Sequence, residues 1–211
     1  MKKVIILDFW GTLVETGVPQ HIKQIQRFLG LLRLPYSEFV QRFERAMMTR
    51  PFPQLRDAFI AVCEEFSVPP DEALLGKCVG LWNTSWLLAK PYPETMSVLQ
   101  ALKEKHKLVL LSNTDCFSVN QVLEKFGLRN SFDLLVLSYE SGAMKTDPVC
   151  YQTILTHFGA APEDCLAVGD SIYSDIAAAE QAQVEAILID RRDTRDFPHK
   201  IKDLKELLTW N

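Results

Sequence analysis

The sequence predicts an α/β protein: a doubly wound parallel-sheet core carrying an inserted helical unit. Three features carry that expectation. Short, continuous apolar runs end on polar residues, helical patterns fill the intervals between them, and one long stretch near the start breaks the alternation with helices alone.

The first run, Val4–Leu7, ends at Asp8. It is apolar at every position rather than at alternate ones, as a strand covered on both faces of a parallel sheet must be. Runs at 108–111 before Ser112, at 134–137, at 165–168 before Gly169 and at 186–189 read the same way. Helical periodicity lies between them at 93–105, 118–126, 148–158 and 174–182, the first opened by Pro93, which suits a first helical turn.

Residues 15–90 show helical spacing and no convincing strand. Ile22, Ile25, Phe28 and Leu29 form one stripe, Phe39, Val40, Phe43 and Met47 a second, and Leu55, Phe59, Val62 and Phe66 a third. A fourth helix is predicted over 71–88, after Pro69-Pro70, with Trp82 and Trp86 one turn apart. The pair reads as packing, with a substrate platform as the other use of two indoles. The expected division is therefore a core of 1–14 and 91–211 with a helical insert at 15–90. The tail is charged and then amphipathic over 201–208, which predicts a docking helix.

Composition limits the function classes. A chain of 211 residues, 47% hydrophobic and 24% charged, can bury a real core. Its net charge of -4 and scattered Lys and Arg offer no basic stripe, so no nucleic-acid partner is expected. The apolar stretch after Lys3 is too short for a signal peptide or a membrane span, so the expected location is the cytoplasm, without a membrane partner. Five unpaired-looking cysteines fit a reducing compartment; Cys116 reads as apolar filler rather than a reactive thiol. The four histidines show no ligand spacing. Exposed faces of the insert offer the natural contact surface for a homodimer.

In an open parallel sheet the ligand crevice lies beyond the carboxyl ends of the strands. The polar residues ending the runs should therefore converge: Asp8 with Thr12, Ser112 with Asn113, and Asp170 with Asp175, joined by Lys145 from the loop 141–145. A carboxylate nucleophile or metal ligand, hydroxyl and amide groups, a fixed cation and an acidic pair suit attack at a phosphorus or carbon centre.

The segments Asp8-Phe9-Trp10-Gly11-Thr12-Leu13, Leu111-Ser112-Asn113, Lys145, and Gly169-Asp170-Ser171 through Asp175 resemble, in order and spacing, the four motifs of the haloacid dehalogenase-like hydrolase superfamily. The helical insert resembles the cap of its subfamily I, and the core its Rossmann-like sheet. The resemblance implies a small-molecule substrate, a phosphorylated metabolite in the phosphatase case, and a covalent aspartyl intermediate on Asp8. It implies that Ser112 and Lys145 bind the transferred group, that Asn113 and Thr12 orient it, and that Asp8, Asp170, Asp175 and the Trp10 carbonyl hold Mg²⁺.

One position departs from the pattern. Phosphatases of the superfamily usually carry an Asp two residues after the nucleophile as general acid and base, and here that residue is Trp10. Three readings follow. One is a Mg²⁺-dependent phosphatase of altered leaving-group scope, favouring acyl or aryl phosphates. Another is a metal-independent 2-haloacid dehalogenase, which Trp10 favours because those enzymes carry an aromatic there, and which Asp170 opposes; Arg42 or Arg45 would then bind the substrate carboxylate. The third is a non-catalytic phospho-ligand binding or regulatory module with Trp10 filling the pocket.

Overall fold

The protein is described here from a computed structural model covering residues 2–210. Strand β1 (Val4–Leu7) is followed by β2 (Val14–Glu15) and then by four helices, α1 (His21–Phe28), α2 (Tyr36–Met48), α3 (Leu55–Glu65) and α4 (Glu72–Leu87). After β3 (Lys90–Pro91), helices and strands alternate: α5 (Thr95–Lys103), β4 (Lys107–Ser112), α6 (Val119–Lys125), β5 (Leu134–Leu137), a short α7 (Ser138–Ser141), α8 (Val149–Phe158) and β6 (Cys165–Gly169). A π-helical turn, Ile172–Ala177, leads into α9 (Ala178–Gln181), and β7 (Glu185–Ile189) and β8 (Lys200–Ile201) complete the sheet.

The six strands lie in the order β5-β4-β1-β6-β7-β8, every neighbouring pair parallel. Both faces are covered, which is why the runs are apolar throughout. Ile5, Leu7, Leu108, Leu110, Leu166 and Val168 point into one core layer. Their neighbours Val4, Ile6, Val109, Leu111, Cys165 and Ala167 point into the other. The chain runs from β1 outward to β4 and β5, then returns to β6 on the other side of β1. The strand order thus reverses beside β1, and its carboxyl end and that of β6 flank the crevice where ligands of such sheets bind.

Helices α1 to α4 bury a separate apolar cluster of Phe39, Phe43, Met47, Phe59, Val62 and Trp82, among others. The predicted stripes supply it except at Phe28, which is 37% exposed, and α4 starts where the sequence places it, with the Asp71 side chain accepting the Leu74 N–H at 2.8 Å.

Three local expectations are corrected. The stretch read as strand-free is bounded by an antiparallel ribbon of β2 and β3, Val14 opposite Pro91 and Glu15 opposite Lys90. Two-residue strands are too short to leave a period in the sequence. The helix predicted over 174–182 is instead a π turn followed by one turn of α-helix. The docking helix predicted over 201–208 is also replaced: Ile201 pairs with Ile189 in the sheet, and Leu204–Thr209 is a 3₁₀ helix. The three-residue spacing of the buried Leu204 and Leu207 suits that tighter coil.

Candidate active site

Asp8, the first residue beyond β1, sits at the floor of a cleft of about 900 Å³ between the sheet end and the insert helices. Its backbone N–H donates to the Val168 carbonyl at 3.0 Å, so the β1 to β6 ladder fixes it. Thr12, fully buried, donates its hydroxyl to Asp8 Oδ2 at 2.9 Å. The ammonium of Lys145 donates to Asp8 Oδ1, and to Asp175 Oδ1 at 2.7 Å. Burial pushes the Asp8 carboxyl up; Lys145 works the other way and Asp175 adds to the rise. Burial also works against the Lys145 charge, but Asp175 and Asp8 overcome it and hold the ammonium protonated.

The π turn places Asp175. Its Oδ2 accepts the Ser171 N–H at 2.9 Å while Oδ1 faces Lys145, and Ser171 in turn caps the turn by accepting the Ser174 N–H. Such turns occur often at functional sites, because the extra residue re-aims a side chain. Two glycines let the acids in. A Cβ on Gly169 would lie 2.2 Å from the Asp175 carboxyl carbon, and one on Gly11, at φ +81, would lie 2.3 Å from Asp170 Oδ2.

Carboxylate oxygens of Asp8, Asp170 and Asp175 lie within 4.8 Å of one another. Burial and the charges of Asp8 and Asp175 raise the Asp170 carboxyl, with Lys145 and Arg195 opposing. Three converging acids against one buried lysine form an excess of negative charge, and an all-oxygen donor set of this kind fits a hard divalent cation.

Ser112 is 1% exposed and does not line the cleft itself, and its hydroxyl is a buried donor without a hydrogen-bond partner among the described residues. Asn113 lies at the same strand end, but protein groups occupy both ends of its amide. Oδ1 accepts the Lys145 backbone N–H, and Nδ2 donates to Glu44 Oε2 of α2, each at 2.9 Å. Thr12 and Asn113 therefore orient the carboxylate and the lysine from within the chain. Trp10 lines the cleft with its indole N–H donated to Thr114 Oγ1 at 3.2 Å and its ring edge against Phe9.

Other candidates separate by environment. Trp82 packs among Phe43, Phe59 and His21 and donates its indole N–H to Asp115 at 3.1 Å, tying the insert to the core. Trp86 bonds to Asn83 within its own helix. Arg42 is engaged by Glu65 at 2.7 Å and lies over the Phe66 ring, and Arg45 pairs loosely with Asp147 at 3.6 Å. Burial raises the Cys116 thiol, the direction of an unreactive cysteine.

Among the cleft residues that the sequence does not single out are Glu44 and Arg195. Glu44 looks like any solvated helix acid until α2 is docked. Arg195, whose guanidinium donates to the Asp170 carbonyl, lies in a tail with no motif.

The sequence model described as haloacid dehalogenase-like hydrolase matches residues 2–183. The chain is similar to a phosphoglycolate phosphatase of Aquifex aeolicus, 36% identical over 194 residues, which is 88% of this chain and 84% of that protein. It is also similar to a phosphoserine phosphatase of Thermus thermophilus, 34% identical over 115 residues. That match takes in 54% of this chain and spans only about half, 46%, of the Thermus protein. Among solved structures, a 2-haloacid dehalogenase from Pseudomonas syringae pv. Tomato DC3000 superposes with a TM-score of 0.66 at 21% identity, covering 99% of this chain and 97% of that one.

Proposed function

The chain belongs to the haloacid dehalogenase-like hydrolase family, and from that premise we propose that it is a Mg²⁺-dependent phosphatase acting on a small phosphorylated metabolite. The observation that carries the reading is the cluster of Asp8, Asp170 and Asp175 with a single lysine among them. A site so acidic repels the carboxylate of a haloacid unless a cation is bound, whereas a phosphatase uses that cation. Two phosphatase-named relatives, the Aquifex protein matched over most of the chain, point the same way.

In this reading Asp8 Oδ attacks phosphorus and forms an aspartyl phosphate, which water then hydrolyses. Thr12 and Lys145 hold the carboxylate for attack, and Asn113 holds Lys145. Lys145 and the free hydroxyl of Ser112 bind the phosphoryl oxygens. Mg²⁺, held by Asp8, Asp170, Asp175 and the Trp10 carbonyl, would neutralise charge on the transferred group. Residues 15–90 act as the cap and 1–14 with 91–211 as the catalytic core, in the cytoplasm and without nucleic-acid or membrane partners. No helix among the described residues is long and apolar enough to cross a membrane. Trp10 cannot transfer a proton, so turnover is confined to substrates whose leaving groups need none, acyl and aryl phosphates, unless another residue supplies it.

A dehalogenase reading draws on the aromatic at position 10. Of its two expected carboxylate receptors, Arg42 is occupied by Glu65, and Arg45 pairs with Asp147 at 3.6 Å.

The test is phosphate release from acetyl phosphate and p-nitrophenyl phosphate with Mg²⁺ and with excess chelator. Turnover removed by the chelator is expected. Turnover indifferent to chelation, or halide release from 2-chloropropionate without phosphate release, would overturn the reading.

A further inference from the structure

Trp10 leaves the site without a proton-transferring residue beside the nucleophile, and the roof of the cleft carries a carboxyl that the preceding mechanism does not use. We infer that Glu44, presented by α2 of the insert, is the general acid and base of this site. The assignment rests on the phosphatase reading and sharpens it: it returns to the enzyme the alkyl phosphates that Trp10 would otherwise deny it.

The geometry comes first. Glu44 lines the same cleft as Asp8, Trp10, Lys145 and Asp170. A chain of contacts fixes its position relative to the nucleophile: Glu44 Oε2 accepts from Asn113 Nδ2 at 2.9 Å, Asn113 Oδ1 accepts from the Lys145 N–H at 2.9 Å, and the Lys145 ammonium bonds to Asp8. Only one Glu44 oxygen is used in this chain, which leaves the other to carry a proton. The environment then suits the task. Burial is the main cause that raises the Glu44 carboxyl, to about 7; Asn113 and Lys145 lower it, and Asp175 and Asp8 add to the rise. Tyr36, at the start of the same helix, is a phenol held up by burial and by the charge of Glu44. A carboxyl poised near neutrality can give up a proton and take one back within a turnover.

The step balances. As Asp8 Oδ bonds to phosphorus and the P–O bond to the alkyl group breaks, protonated Glu44 gives its proton to the departing alkoxide, releasing an alcohol. As water bonds to phosphorus and the P–Oδ bond breaks, the Glu44 carboxylate takes a proton from that water, releasing phosphate and restoring both residues.

Glu44→Gln tests the assignment, because glutamine keeps an acceptor for Asn113 and so preserves any purely structural link between insert and core. With Mg²⁺, the wild type should hydrolyse β-glycerophosphate as well as p-nitrophenyl phosphate. In Glu44→Gln, β-glycerophosphate turnover should fall by roughly 10²–10⁴-fold. p-Nitrophenyl phosphate should instead give a burst of nitrophenol equal to the enzyme concentration and then a slow steady state, because the leaving group departs unaided and the aspartyl phosphate waits for a base. Adding Trp10→Asp to Glu44→Gln should restore β-glycerophosphate turnover. A wild type active on p-nitrophenyl phosphate but not on β-glycerophosphate, or a Glu44→Gln variant with neither burst nor loss, overturns the role of Glu44 alone. A wild type that releases phosphate from no substrate overturns the phosphatase reading and this assignment with it.

Discussion

At the floor of the cleft Asp8 and Asp175 have every carboxylate oxygen occupied, by Thr12, Lys145 and the Ser171 N–H, and each is nearly inaccessible. At the roof Glu44 shows one hydrogen bond, and Tyr36 beside the opening exposes 44% of its surface. The floor is built from strand ends in one hydrogen-bonded sheet, so its groups are fixed before a ligand arrives. The roof is built from helices joined to the core by a two-stranded ribbon and a few polar links, Glu44 to Asn113 and Trp82 to Asp115. The difference is one of division of labour: preorganised charge below, adaptable contact and proton transfer above.

The floor is broken most directly at Lys145. Lys145→Met removes the one cation between two buried carboxylates, and stranding such charges costs about 3–5 kcal/mol of stability. The denaturant midpoint at neutral pH should fall accordingly, and Mg²⁺ should recover part of the loss by replacing the missing charge. A variant as stable as the wild type would mean that water reaches the acids and that the floor is less closed than its geometry indicates. Recovery absent at saturating Mg²⁺ would deny the acids their role as ligands.

The roof contributes its own pH dependence through His21. Burial lowers this imidazole from 6.5 to about 4, against the Val18 carbonyl, and it rests edge-on to Trp82. The unfolded chain therefore binds a proton that the folded protein refuses between these values. The stability due to neutral His21 is complete above about pH 6.5 and is lost as pH falls towards 4, up to about 3 kcal/mol in all. Thermal melts of wild type and His21→Asn across this window should converge as the solution is acidified. Parallel curves would show that His21 opens to solvent and that the roof near α1 is looser than the floor.

The same contrast explains what was legible. The five long strands and the polar residues at the ends of three of them, Asp8, Ser112 and Asp170, are legible because a continuous apolar run ending on a polar residue has one meaning in a parallel sheet, whereas Lys145 stands out only through its loop and the motif it resembles. The four insert helices could be placed because their stripes keep a 3.6 period over many residues. The ribbon of β2 and β3 leaves no period. The π turn that aims Asp175 cannot be told from an α-helix by spacing, and the tail's 3₁₀ coil shares its apolar pattern with an α-helix. Thr12 and Asn113 were readable as site residues, but whether they face a ligand or the chain depends on side-chain partners that only packing assigns. Glu44 and Arg195 carried no signal at all: each reaches the cleft by tertiary docking, one on a helix with charged neighbours, the other from a loop beyond β7.

The smallest effect is expected at Arg42, one of the two arginines that a dehalogenase reading would use. The guanidinium donates to the side chain and carbonyl of Glu65 at 2.7 and 2.8 Å on a partly exposed surface, a pairing that contributes under about 1 kcal/mol. If Arg42 only ties α2 to the end of α3, Arg42→Ala should shift the denaturant midpoint slightly and leave KM and kcat for p-nitrophenyl phosphate within about twofold. If it is instead the carboxylate receptor of a dehalogenase, it must leave Glu65 to bind substrate, and KM for a 2-haloacid should rise steeply in the variant with its fold intact. Because the ion pair lies on the roof, neither result alters the floor. What changes is which substrate the roof delivers to the same aspartate.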